Sequence, residues 1–242
     1  MKTQISEISP QVYARVVGIL YLFTISAGII AQMGISNGIV VVDDAATTAS
    51  NILANRNLFQ LGFTIYLLEM ASQIAQTVIF YMLLKPAGRS VSLLALFFGL
   101  VGCIIKTVSR LFYIAPLLVL GEAHYLDVFT LDQLQALALL LLKVNDLAAG
   151  MALAFFGFST LLNGFLIFRS AFLPRILGIL SILGGFGWLT FLYPPLGNQL
   201  LPYILVIALI GSISQILWLL TKGVRVEQWK RQLRQSFGTG NR

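Results

Sequence analysis

Charged residues, cysteine and histidine are all scarce in this 242-residue chain, and each scarcity narrows what the protein can be. Only 10% of residues are charged while 58% are hydrophobic. Soluble domains carry about a quarter charged residues, so a soluble globular class is excluded. The single cysteine, Cys103, rules out an intrachain disulfide and a cysteine metal cluster. The single histidine, His124, stands in a segment with Glu122 and Asp127 that reads as a solvated loop. No His-x-x-x-His pair exists for zinc, and the glycines form no phosphate-binding loop. No cofactor and no metal are expected.

What the chain has instead is apolar runs of about 20 residues, the length that crosses roughly 30 Å of hydrocarbon. Six are legible: about 13–33, 59–84, 91–120, 131–168, 176–193 and 201–221. Pro116 is expected to kink or end the third, Thr130 to cap the fourth, Pro194 and Pro195 to close the fifth, and Pro202 to fall in the first turn of the sixth. A barrel would show short alternating strands, so the fold class is an all-α integral membrane protein, a six-transmembrane-helix bundle forming one domain over residues 1–242. Arg15 before an apolar run imitates a signal peptide with Ala27 to Ala31 as a loose cleavage region, but the run continues to Met33 and suits a first span.

The net charge of +7 is topological. With an inside N-terminus, Lys2, Arg15, Lys85, Arg89, Arg169, Arg175, Lys222, Arg225, Lys230, Arg231, Arg234 and Arg242 all fall on the cytoplasmic side, against Arg56 alone outside. Both termini are therefore expected inside a bacterial cytoplasmic (inner) membrane. Between the first two spans, Asp43 or Asp44 can cap a short outer amphipathic helix, read either as a structural cap or as a lid. The basic tail 222–242 spaces Val226, Trp229, Leu233 and Phe237 as one helix face, with Lys230, Arg231 and Arg234 on others. This predicts an interfacial helix in which Trp229, Lys230, Arg231 and Arg234 anchor to anionic lipid; a docking site for a cytoplasmic partner is the alternative, and no nucleic-acid role is expected.

Five ionisable residues interrupt the spans: Glu69, Lys106, Arg110, Lys143 and Asp146. Each costs about 2.5–3.5 kcal/mol at the centre of a spanning helix, so they are expected to face a cavity or one another. Glu69 and Gln73 are spaced i, i+4 with Gln76 following at i+7, and Lys106 and Arg110 are spaced i, i+4; Lys143 and Asp146 are spaced i, i+3 beside Asn145. Counting from the cytoplasmic anchors at about 1.5 Å per residue puts the five charges in one depth band in the outer half of the bilayer. Three bases and two acids leave one positive charge. Two readings fit: paired charges that only fix helix register, or an outer-leaflet polar pocket in which Glu69, Gln73, Lys106, Arg110, Lys143, Asn145 and Asp146 hold a small anionic or zwitterionic molecule or a lipid headgroup.

Several segments resemble a bacterial membrane-protein family catalogued as domain of unknown function 4386. They are Arg15-Val16-Val17-Gly18-Ile19-Leu20-Tyr21-Leu22, Asn51-Ile52-Leu53-Ala54, Lys85-Pro86, Asp132-Gln133-Leu134-Gln135-Ala136-Leu137-Ala138, and Arg169-Ser170-Ala171-Phe172-Leu173-Pro174-Arg175. The resemblance implies six spans and no established activity. It also implies a departure: the family often carries a His-Asp step where this chain has Asn145-Asp146, which removes a titrating role from the first position. The leading expectation is non-enzymatic binding or transport of a small polar ligand or lipid. The second is an accessory subunit beside a membrane-protein partner with a purely structural polar network, and an intramembrane enzyme is third.

Overall fold

The structure, a computed structural model, describes residues 9–238, and among them every regular element is helical. In chain order these are α1 (Pro10–Ile29), a π-helical segment (Ile30–Ser36), α2 (Asn37–Ile39), α3 (Ala45–Ala54), α4 (Arg56–Leu84), α5 (Arg89–Ile114), α6 (Pro116–Val119), α7 (Leu131–Arg169), α8 (Arg175–Leu189), α9 (Pro194–Thr221) and α10 (Val226–Gly238). Six helical stretches are long and apolar enough to cross a membrane: Pro10–Ile39, Arg56–Ala87, Arg89–Val119, Leu131–Arg169, Arg175–Leu192 and Pro194–Thr221. Large apolar side chains face outward on them, including Ile19, Phe97, Ile104 and Val206, each more than half exposed. Water would penalise such a surface and lipid does not. This is a multi-pass membrane protein.

Local chemistry explains most boundaries. Pro116 breaks the third stretch without ending it: α5 stops at Ile114 and α6 starts at Pro116. Thr130 caps α7 in a reciprocal capping box: the Gln133 amide donates to Thr130 Oγ1 at 3.4 Å, and the Thr130 amide to Gln133 Oε1 at 2.9 Å. At 39 residues, α7 extends about 58 Å at 1.5 Å per residue, nearly twice a hydrocarbon core. The fifth stretch stops at Leu192, just before Pro194 and Pro195, as expected. The same prolines also open α9, because a fixed φ suits a first turn, so the sixth stretch starts earlier than expected and Pro202 lies inside the helix and not in its first turn.

By its contacts the chain divides into two compact units. The first gathers residues up to Leu22, Gln73–Gly102 and those from Leu153 onward; the second comprises Phe23–Ser72 and Cys103–Ala152. In the first unit, glycines bring α7 and α8 to backbone contact. A Cβ on Gly178 would meet Phe168 N at 2.6 Å, and one on Gly164 would meet Ile182 N at 2.8 Å. The end of α9 is closed by Gly223 at φ 67, whose amide donates to Trp218 O at 2.8 Å. Arg15 donates to the free carbonyls of Leu220 and Thr221.

α10 docks on the first unit through Trp229, which is buried and donates from Nε1 to Leu83 O at 2.8 Å; Leu233 packs on the same core. This corrects one detail of the tail. Trp229 is a core residue and not a lipid anchor, because the interior offers its indole N–H an acceptor. Lys230, Arg231 and Arg234 stay exposed. Lys2, Arg242 and the side chain of Phe237 lie outside the described residues.

Candidate functional site: a buried guanidinium in the second unit

The second unit is built around an aromatic core of Phe59, Tyr66 and Tyr113, packed with Ile35, Ile39 and Ile52. Phe59 and Tyr113 stack with ring centroids 4.4 Å apart, and Tyr66 meets Tyr113 edge-on at 5.3 Å. Gly62 on α4 lets Tyr113 in, since a Cβ there would stand 2.9 Å from its hydroxyl. α3 covers this core with Ala49 and Ile52, both essentially buried.

Two polar groupings sit among these rings. In one, Lys106 Nζ on α5 donates to Glu69 Oε1 on α4 at 2.6 Å, with side-chain exposures of 17% and 5%. Gly28 leaves space for this carboxylate: a Cβ there would approach Glu69 Oε1 to 3.2 Å. Glu69 Oε2 has no hydrogen-bond partner among the described residues. In the other, Arg110, one turn beyond Lys106, lies 3% exposed with Cζ 3.7 Å from the Tyr66 ring centroid. Its Nη1 donates to Asn145 Oδ1 at 3.1 Å, and Asn145 Nδ2 donates in turn to Asp146 Oδ1 at 2.9 Å. Arg110 Nε is buried without a hydrogen-bond partner among the described residues.

Among the described residues, no carboxylate comes within the 4.0 Å of an ion pair with Arg110. Its direct contacts are a neutral amide and an aromatic face, while the carboxylates of Glu69 and Asp146 act on it from beyond ion-pair distance. The amide and the ring both favour a cation, and neither cancels its charge. Where soluble proteins pair a buried Arg with a carboxylate in a two-pronged bond, this one is left with donors to offer.

The remaining sequence-predicted residues are placed as follows. Lys143 is exposed and pairs with Asp43 at 2.6 Å, so it does not join Arg110. Asp146 is exposed; it is joined to the guanidinium by hydrogen bonds through Asn145 and also acts on it electrostatically beyond ion-pair distance. Gln73 belongs to the first unit and is half-buried there. His124 is fully exposed, 3.4 Å from Asp127.

Sequence reasoning missed two contributors. Tyr66, read as packing, is the ring under Arg110; its i, i+3 spacing from Glu69 was the available signal. Gln32, in the π-helical segment, accepts the Tyr66 hydroxyl at 2.7 Å. A π-helical turn places side chains that an α-helical count misplaces, and such turns recur at functional sites.

The chain belongs to the family described as domain of unknown function (DUF4386), whose sequence profile matches residues 16–223. No curated protein and no solved structure matches it.

Proposed function

We propose that this family member binds a small anionic or zwitterionic molecule, or a lipid headgroup, at Arg110, as a binding or transport protein of the bacterial cytoplasmic membrane. The observation that carries this reading is a guanidinium 3% exposed with no carboxylate in ion-pair range among the described residues. A buried charge is retained at high cost, and an unneutralised one more so. An anion supplies what the protein withholds. Two donor edges on one planar group suit a carboxylate or phosphate. α3 closes the aromatic core beside Arg110, so entry proceeds by its displacement, which is the lid reading of that helix.

The asymmetry of basic residues supports both termini on the cytoplasmic side and, counted along the helices, Arg110 in the outer half of the bilayer. The exposed Lys230, Arg231 and Arg234 of α10 then lie against anionic lipid.

The experiment is binding of inorganic phosphate, and separately of phosphatidylglycerol, to the full-length protein in nanodiscs of zwitterionic lipid. Saturable binding that Arg110→Ala abolishes and Arg110→Lys weakens is expected. Equal binding by wild type and Arg110→Ala would count against the site. Arg110-dependent flux into liposomes separates transport from binding.

A second reading has its own observation. Lys106 with Glu69, and Lys143 with Asp43, form neutral pairs that favour a structural network in an accessory subunit. A stoichiometric partner retained in mild detergent would support it. An intramembrane enzyme ranks third.

A further inference from the structure

The first unit carries a polar site of a different kind. α1, α7, α8 and α9 leave a crevice of about 40 Å³, lined on its polar side by Tyr21, Thr160, Ser181, Ser212 and Gln215. None of these is charged. Tyr21 Oη and Ser212 Oγ stand 2.6 Å apart, sharing one hydrogen bond, and Ser181 donates to Leu177 O of its own helix at 2.8 Å. The Gln215 carboxamide is 7% exposed and has no hydrogen-bond partner among the described residues; the Thr160 hydroxyl has none either. A carboxamide brings two donors and an acceptor, and lipid tails can answer none of them. Something in the crevice must.

The glycines around it point the same way. Gly184 and Gly211 line the space, yet a Cβ on Gly184 would come no nearer than 3.8 Å to Ala208 Cα, and one on Gly211 no nearer than 3.5 Å to Leu180. Those are ordinary contacts. Gly178 and Gly164, by contrast, could not carry a methyl without striking backbone. Helix packing therefore demands glycine at 164 and 178 but not at 184 and 211, where the missing methyls leave the crevice open.

We propose that this crevice is a water-binding site within the membrane span, its water held by Gln215, Thr160 and the Tyr21–Ser212 pair. At 10–15 Å³ per molecule the volume takes about three waters. Size excludes an organic guest of more than a few heavy atoms, and the uncharged walls give an ion no partner. Depth makes such water bound rather than bulk. Gln215 lies six residues before the end of α9, and Tyr21 six residues after Arg15, about 9 Å along each helix from its basic end.

The decisive measurement is proton-detected solid-state NMR of the full-length protein in nanodiscs, following magnetisation transfer from water to the Gln215 side-chain amide. Transfer building up as fast as at the exposed loop around His124 is expected; no transfer to Gln215 overturns the proposal. A second arm uses Gly211→Ala. Displacing water orphans Gln215, so the Tm should fall by about 2–4 °C, although alanine is the better helix former. Adding Gln215→Leu should return the Tm toward wild type. A rise in Tm for Gly211→Ala alone is the behaviour of a dry void being filled and would overturn the proposal. Should Gly211→Ala not fold, the wild-type NMR measurement decides.

Discussion

Lys143 Nζ and Asp43 Oδ1 meet at 2.6 Å across one hundred residues of chain. The contact ties α7 to the loop that leads into α3, in which Asp43 has φ 59, a conformation L residues seldom adopt. With Lys106 paired to Glu69 and Lys143 to Asp43, Arg110 is left as the buried base of the second unit that has no ion pair among the described residues, and Asp146 as the carboxylate joined to it through Asn145.

The Lys143–Asp43 pair is exposed, and exposed pairs contribute about 0–1 kcal/mol. Asp43→Asn should therefore barely change global stability. Its effect should be local: faster amide exchange in Ala45–Ala54 and easier access to Arg110, read by hydrogen exchange. Unchanged exchange across α3 would sever the link between this pair and the lid.

Glu69→Gln leaves the Lys106 ammonium unpaired in a low-dielectric setting. Breaking a buried pair costs about 3–5 kcal/mol, the lower end applying here because Lys106 is partly exposed. The double variant Glu69→Gln/Lys106→Met should recover most of that loss in reversible unfolding from mixed micelles. Failure to recover would assign Glu69 a partner beyond Lys106.

Tyr66→Phe keeps the ring under Arg110 and loses only the hydroxyl bond to Gln32, so anion binding should persist with stability lower by about 1 kcal/mol. Tyr66→Leu removes the face as well. Binding should then weaken about tenfold or more, matching a cation–π contribution of about 2 kcal/mol in a desolvated site. Isothermal titration with phosphate separates the two.

Asp44 caps α3, accepting from the Thr47 amide at 2.9 Å and the Thr47 hydroxyl at 2.6 Å. The Thr47 hydroxyl, and then its amide, hold the Asp44 carboxyl below its ordinary value. A lowered folded-state value means the cap is at full strength above the ordinary carboxylate range and is lost as pH falls through the lowered value. Fraying of α3 in acid, absent in Asp44→Asn, is expected from the pH dependence of Thr47 amide exchange.

Trp229→Ala should release α10 from the first unit, costing about 3–5 kcal/mol of docking and exposing residues 226–238 to protease. Neutralising Lys230, Arg231 and Arg234 together should leave α10 docked. Equal protease sensitivity in the two variants would contradict the division of α10 into a core face and a basic face.

The spans were legible because a 20-residue apolar run has few other fates, and the Thr130 capping box because its partners are three residues apart. The break at Pro116 was legible for the same local reason. The prolines after Tyr193 were not, since the same residue that ends one helix starts the next, and only the following chain direction decides which. The choice between Asp43 and Asp44 as cap was equally undetermined by spacing. In the structure Asp44 is the cap and Asp43 pairs with Lys143. Trp229 looked like an interfacial residue by type, until the free carbonyl of Leu83 supplied an interior partner.

By itself, then, the sequence determined the membrane class, the helical content, the number of apolar stretches and the short list of charges that interrupt them. Those follow from hydropathy and from the requirement that backbone groups in lipid be satisfied within a helix, both of which act locally along the chain. Only the tertiary structure decided which charge meets which. Ion pairing depends on angular phase and on reach between helices, and one π-helical turn or one loop aspartate is enough to redirect it. That is why Lys143 left the group the sequence placed it in, and why Arg110 lies over the ring of Tyr66 with no ion pair among the described residues.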